Sequence, residues 1–387
     1  MKPIAPGSPA AWTAEELTAD PRWIFTLDDR ARRDLQATVR GTRDPGKNLL
    51  DYRGHDFDLG SARPVLAAAL REVKGGRGIA LVRNLPRDEL NEAEFELLTW
   101  VIGLHAGVAR PQGKASHYLS AVRDAGTVYR SAGGRGYSSN AELDFHTDGA
   151  DLVVLTCYNR AKSGGRSMVT SSLAAHAQMV AERPDLAEVL HQPFYFSRQA
   201  EQAADENPVY LNPIFDTCEG LGFSKWNRNR VTSAQRIEGV PLLTARQREA
   251  TDMLDDILRR PALMYSMDLQ PGDMQILNSH VTLHSRTKFV DYEEPERKRL
   301  LFRLWLAPPD SVRLPESWRP AYREVDPGTV RGGILGQSYD DVRRAFERRQ
   351  AAELGMHLAS CNDGPPARAQ PRGFMPGESR IDNPGNV

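Results

Sequence analysis

RLLFRLWL, residues 299–306, reads as a β-strand with two unlike faces. Side chains alternate across a strand, so Leu300, Phe302, Leu304 and Leu306 share one wholly apolar face that belongs in a core. Arg299, Leu301, Arg303 and Trp305 share the other. A guanidinium on a partly enclosed face is costly unless an anion meets it. This strand therefore predicts a β-rich fold and, on its mixed face, an anion site.

Working outward, MQILN (274–278) follows the turn QPGD, and YSMDL (265–269) precedes it. Leu152 to Tyr158 and Ser167 to Ser171 are further strands, the second after the turn Gly164-Gly165. GIALVRNLP (78–86) is a short buried strand stopped by Pro86. Helices are expected over Arg63–Val73, ended by Gly75 and Gly76, and over Glu92–Ile102, with Phe95, Leu98 and Ile102 on one face. Two more are expected, one from near Ser172 and one from Thr244 through Arg259, the latter opened by a Thr244/Gln247 capping box. Strands in both halves with inserted helices point to a mainly β fold with a helical flank (α+β), a single sandwich or barrel. The expected organisation is a partly helical extension over 1–60, the β domain over 61–320, and a C-terminal extension over 321–387. After about Ser360 the tail is rich in Pro, Gly, Arg and Asn, which predicts disorder or an arm docked on another subunit of a homo-oligomer.

Two further stretches carry the chemistry: LDFHTDGAD (143–151) and LNSHVTLHSRTKF (277–289). His146 and Asp148 stand two apart, so on an extended chain they share a face and can chelate one metal. With His284 they make two imidazoles and one carboxylate, a set that binds one side of a non-haem Fe(II) and leaves the other open. One H-x-D among nine histidines is not diagnostic; the order of parts is. His176, His191 and His357 read as structural, whereas His280, four residues before His284, is a candidate to face a substrate. Fe(II) with one carboxylate and two neutral imidazoles carries a single positive charge. A dianion such as 2-oxoglutarate would overshoot by one, and one arginine restores neutrality with a bidentate fit to a carboxylate. Ser167 or Thr170 could add a hydroxyl donor. Tyr137 and Asn140 before the triad, Gln112, and the basic loop KWNRNR with Lys225, Arg228 and Arg230 are candidates to meet a substrate, an acidic one in the case of the loop.

The whole chain excludes other classes. Its 387 residues carry 50 Lys plus Arg against 51 Asp plus Glu, a net charge of -1, which gives no reason to expect nucleic acid. Cys157, Cys218 and Cys361 suggest neither a disulfide framework nor a zinc site and fit a reducing cytoplasm. No apolar run is long enough to span a membrane, and no signal-peptide core follows Lys2. Two other readings of the triad stay open: a zinc-dependent hydrolase and a jelly roll that binds without catalysis.

With these residues the chain resembles the TauD/TfdA family of Fe(II)- and 2-oxoglutarate-dependent dioxygenases over roughly residues 75–310. The family pattern of H-T-D, a Gly-Gly turn with a hydroxyl residue, N-x-x-x-x-x-H-x-R-x-x-F and paired arginines occurs in order as FHTDGAD, SGGRSMVTSS, LNSHVTLHSRTKF and RKRLLFRLWL. PLLTARQREATDML, LQPGDMQILNSH and GFSKWNRNRVTSAQR look like one bacterial branch of it. The resemblance implies a double-stranded β-helix, or jelly roll. It implies that His146, Asp148 and His284 hold iron, that Arg303 binds the C5 carboxylate of 2-oxoglutarate, and that Arg299 sits near the C1 carboxylate or the substrate. The implied reaction uses O2 to convert 2-oxoglutarate to succinate and CO2 while oxidising a C–H bond of a small molecule. Hydroxylation is the expected outcome, with desaturation, epoxidation or cyclisation as alternatives. Halogenating relatives replace the carboxylate that is intact here as Asp148.

Overall fold

The structure is a computed structural model and describes residues 2–129 and 136–358. The tail after Ser360, with Cys361, lies outside the described residues.

Ten strands form two sheets: β1 (Ile24–Thr26), β2 (Ile79–Arg83), β3 (Val108–Arg110), β4 (Leu119–Val122), β5 (Leu152–Asn159), β6 (Ser167–Ser171), β7 (Met264–Met267), β8 (Met274–Asn278), β9 (Thr282–Arg286) and β10 (Leu300–Ala307). The larger sheet runs β1-β2-β8-β5-β10-β3, with β4 also pairing on β10. Only β1 and β2 are parallel, so the sheet is mixed. The smaller sheet, β7-β6-β9, is antiparallel and sets His284 opposite Val169 and Arg286 opposite Ser167.

The two faces of β10 separate as its alternation predicts. Leu300, Phe302, Leu304 and Leu306 join a core with Leu66 and Val73 of the helix Ala62–Gly75 and Phe95, Leu98 and Val101 of the helix Glu92–Ala106. Leu301 and Trp305 face inward and pack with Val153, Leu277, Val169 and Met267, which joins the inner faces of the two sheets. The outer face of the smaller sheet, through Met168 and Leu283, packs on the helices Ser172–Glu182 and Ala245–Leu258. Helices thus cover both outer faces, a more evenly mixed α/β arrangement than a helical flank on a mainly β protein. The helix from Glu92 runs four residues past the expected Ile102, because Gly107 is its C-cap and Asn91 and Glu94 form a capping box at its start. The Thr244/Gln247 capping box forms as read, with Thr244 Oγ1 accepting from the Gln247 amide at 3.1 Å. Residues before 60 are built into the same cores through Trp12, Trp23, Leu35 and Phe57.

Candidate metal centre and its pocket

His146 lies between two other segments. Its backbone pairs antiparallel with His284 on one side and Asn227 on the other, and the His146 and His284 amides each donate to the other's carbonyl at 3.0 Å. Two residues on, Asp148 turns its carboxylate to the same space. His146 Nε2 lies 3.9 Å from Asp148 Oδ1 and His284 Nε2 lies 3.8 Å from Oδ2. These separations are too long for hydrogen bonds. All three ligand atoms fall within 4.8 Å of one another. Asp148 Oδ2 is buried without a hydrogen-bond partner among the described residues. His146 Nδ1 lies 2.9 Å from the Asp144 carbonyl, so that nitrogen carries the proton and Nε2 presents its lone pair.

The electrostatics match a cation site. Burial pushes the Asp148 carboxyl up, but the Arg303 guanidinium and the two imidazoles outweigh it and hold it at about 2. Burial, then His146, lowers His284 to about 3. At neutral pH the site offers one carboxylate and a neutral His284, the protonation that a divalent metal requires. An orphaned buried oxygen and two convergent imidazoles fit Fe(II) as a ligand set.

The arginines divide the pocket, a cavity of about 190 Å³ that contains the triad. Arg303 Nε donates to Gln112 Oε1 at 2.8 Å, and its Nη1 lies 3.4 Å from Asp148 Oδ1. Gln112 is itself fixed by donating to the carbonyls of Tyr118, at 2.7 Å, and Arg303, at 3.0 Å. The Arg303 guanidinium lies 5.4 Å from the Tyr137 ring centroid and 5.0 Å from that of Trp305. Arg299 and Arg286 are deeper, and Arg286 Nη2 donates to the carbonyls of Ser139, at 2.8 Å, and Ala141. The two arginines are 6% and 5% exposed, neither has a carboxylate within 4.0 Å among the described residues, and Arg299 Nη1, Arg286 Nε and Arg286 Nη1 lack any partner. Both stack on Phe289. Burial lowers Arg299 to about 10; burial and then Arg299 lower Arg286 to about 9. Gly165, at φ +74°, makes room for this arrangement, since a Cβ there would stand 3.2 Å from Arg299 Nε.

Gln112, Tyr137, Ser167, Lys225, Arg230, Arg299 and Arg303 all line the cavity with the triad. Ser167 Oγ donates to Gln275 Oε1 at 3.0 Å. Thr170 does not reach the site: it faces the opposite side of β6 and donates to the Leu258 carbonyl at 2.8 Å, at the end of a helix. His280 is also not a substrate-facing residue. Its Nε2 meets Asp151 Oδ1 at 2.9 Å and its ring is enclosed by Phe223, Trp318 and Tyr322. Asn140 is exposed and outside the cavity; its carbonyl accepts from the Phe289 amide at 3.1 Å. Arg228 is held away by Asp252 and Asp255 at 2.8 and 2.7 Å. Arg230 is tied to Glu201 at 3.1 Å and to the Ser197 carbonyl at 3.0 Å. The sequence reading gave Arg286 no role, although it stands two residues after His284 on one strand and so shares its face. It also missed Phe196, Arg198 and Tyr210, which only the tertiary fold brings to the cavity.

Known proteins share this chain's sequence and fold. The chain is similar to FR-33289 synthase of Streptomyces rubellomurinus, with 29% identity over 324 residues that cover 82% of this chain and 94% of that protein. In fold it is similar to asparagine oxygenase, whose structure was solved with Fe(II), 3-hydroxyasparagine and succinate. The TM-score is 0.58 at 18% identity, over 74% of this chain and 93% of that one. It is also similar to the non-haem iron oxygenase OrfP, solved with Fe, succinate and (3S)-hydroxy-L-Arg, at a TM-score of 0.55 and 15% identity over 73% and 94%. No described helix is long and apolar enough to cross a membrane. Residues 42–305 match the family described as Taurine catabolism dioxygenase TauD, TfdA family, and the chain belongs to it, as an Fe(II)- and 2-oxoglutarate-dependent dioxygenase.

Proposed function

We propose that this dioxygenase hydroxylates a C–H bond of a small, acidic molecule, with His146, Asp148 and His284 holding the iron. When bound, the iron with 2-oxoglutarate supplies the O2 activation that the protein's own side chains cannot. The observation that carries the reading is the convergence of three ligand atoms, one a carboxylate oxygen without a partner among the described residues, beside buried guanidiniums that meet no carboxylate among them.

The chain's residues then divide the work. Arg299 and Arg286 take the distal carboxylate of 2-oxoglutarate, with Ser167 as the neighbouring hydroxyl. Arg303 stays beside the metal ligands: Gln112 aims it, and it steadies Asp148 as a carboxylate. This exchanges the roles expected for the two β10 arginines, because the Arg303 guanidinium is already committed while Arg299 Nη1 is not. Leu155, Leu269, Leu301 and Trp305 wall the site against water, which strengthens each charge contact inside it. The two sheets, closed face to face around this pocket, are read as the walls of a double-stranded β-helix. Buried Cys157 and partly buried Cys218, both free thiols, suit a reducing cytoplasm. The zinc-hydrolase reading gives Arg286 and Arg299 no anion of its own, and succinate release separates the oxygenase from a binding module.

The test is anaerobic. Fe(II) followed by 2-oxoglutarate should produce the weak visible charge-transfer band of the chelate, and His284→Ala should abolish it. Admission of O2 with substrate should release succinate. Absence of the band from protein with verified iron would overturn the proposal.

A further inference from the structure

The pocket has a second cationic pole that the co-substrate does not need. The two sides of His146 lead to different places. The His284 side continues along β9 to Arg286, which lies close enough to Arg299 for their charges to oppose each other. The Asn227 side leads to Lys225, two residues earlier, which lines the same cavity. The metal-binding segment is therefore flanked by basic groups on both sides.

Lys225 is unusual among these cations. It is 7% exposed, yet among the described residues its ammonium has no hydrogen bond and no carboxylate within 4.0 Å. It lies over the face of the Tyr322 ring, 4.8 Å from the centroid. Its backbone is fixed, with the amide donating to the Ile214 carbonyl at 2.8 Å. The surrounding charges are matched without it. Arg230 meets Glu201 at 3.1 Å, Arg198 meets Glu206 at 3.2 Å, and Arg323 meets Asp205 at 2.8 Å. Among the described residues one positive charge is left over from these pairs. Burial, with Arg230 and Arg198 behind it, already brings this ammonium down to about 7. A strongly hydrated point charge held in an enclosed wall is costly without an anion, and a ligand oxyanion removes that cost.

We propose that Lys225 anchors the acid group of the substrate, which is a small organic oxyanion carrying one carboxylate, sulfonate or phosphonate group at this pole. The oxidised C–H bond then lies between that anchor and the His146–Asp148–His284 face, while 2-oxoglutarate holds the Arg286–Arg299 pole. The inference rests on the oxygenase reading of the site. It adds to it the chemical class of the substrate and the side chain that selects it.

The experiment uses the full chain, anaerobic, loaded with Fe(II) and 2-oxoglutarate. Acetate, methanesulfonate and inorganic phosphate are titrated by calorimetry, with the visible band followed in parallel to report on 2-oxoglutarate. At least one probe should bind without displacing 2-oxoglutarate, and the preferred probe identifies the acid group. Lys225→Met should weaken that binding by about tenfold or more, whereas Lys225→Arg should keep it. Lys225→Gln serves as a second neutral variant should Lys225→Met fail to fold. Three results would overturn the proposal: no probe binds, binding is unchanged in the neutral variants, or the probes displace 2-oxoglutarate and depend on Arg299. Lys225-dependent anion binding without any visible band would instead sink the oxygenase reading alone.

Discussion

Two buried His–Asp clusters sit side by side in this fold and are built in opposite ways. Asp148 and His284 belong to one, and Asp151 and His280, a few residues away on the same two segments, belong to the other. In the second, Arg331 closes the cluster: it donates to Asp151 at 2.6 Å from Nη2 and 3.0 Å from Nε, while His280 Nε2 lies 2.9 Å from Asp151. Arg331 also donates to the carbonyls of Val325 and Asp326 at 3.1 and 3.2 Å. In the first, the imidazole nitrogens stand 3.8 and 3.9 Å from Asp148, and Oδ2 has no partner. Residue type and burial are alike in both. What separates them is whether the carboxylate is satisfied by the protein itself: Arg331 and His280 close Asp151, although His280 Nδ1 has no partner among the described residues, whereas Asp148 Oδ2 is left open.

The sharpest way to break this comparison is to delete the open carboxylate. Asp148→Ala should abolish succinate release and the charge-transfer band while the protein still folds; retained turnover would remove Asp148 from the metal site. Next in size, Arg299→Met should raise the 2-oxoglutarate concentration required by about a hundredfold, as loss of one partner in a buried charge pair does. Arg303→Met should instead act mainly on kcat. Steady-state kinetics that find the larger co-substrate effect at Arg303 would restore the roles expected from the sequence. Asp151→Asn should leave Arg331 buried without its anion and lower stability by about 3–5 kcal/mol in urea melts. A loss no larger than that of a surface substitution would make the closed cluster dispensable.

Acid tests the clusters more gently. Asp148 and Asp151 both titrate below the ordinary 3.8 in the folded state, Asp148 at about 2. The stability they give is complete above 3.8 and is lost as pH falls through their folded values. His284, lowered from 6.5 to about 3, weakens the fold in a different window. The unfolded chain takes up its proton first, so stability declines as pH falls from 6.5 toward 3. The urea midpoint of the metal-free protein should therefore decline in both windows. His284→Gln should reduce the upper decline by its own share, since burial lowers His280 and His176 too, and Asp151→Asn should reduce the lower. The smallest effect belongs to Thr170→Val, which should cost about 1 kcal/mol for one hydrogen bond and leave 2-oxoglutarate dependence unchanged.

Local periodicity made much of this legible. The alternation of β10 separated a core face from a site face, and the two-residue spacing of His146 and Asp148 put both ligands in one space. The same rule, applied to β6, separates Ser167 from Thr170 by spacing alone, because positions of opposite parity cannot face one pocket. Applied to β9, it places Arg286 beside His284. His280 was beyond such reasoning. Its surroundings come from Phe223, Trp318, Tyr322 and Arg331, which no local pattern connects to it. The free state of Lys225 is likewise legible only after the neighbouring carboxylates have been matched to arginines in three dimensions.

The reciprocal amide bonds between His146 and His284 bind the timing of folding to the birth of the site. These residues lie far apart along the chain, so closing that contact carries the entropy cost of a long loop. No early fragment of the nascent chain can hold the ligand set, and iron capture must await the joining of the two halves. Deuterium exchange at these two amides would register that joining directly, and anything that latches the ligands together should slow it at both positions alike.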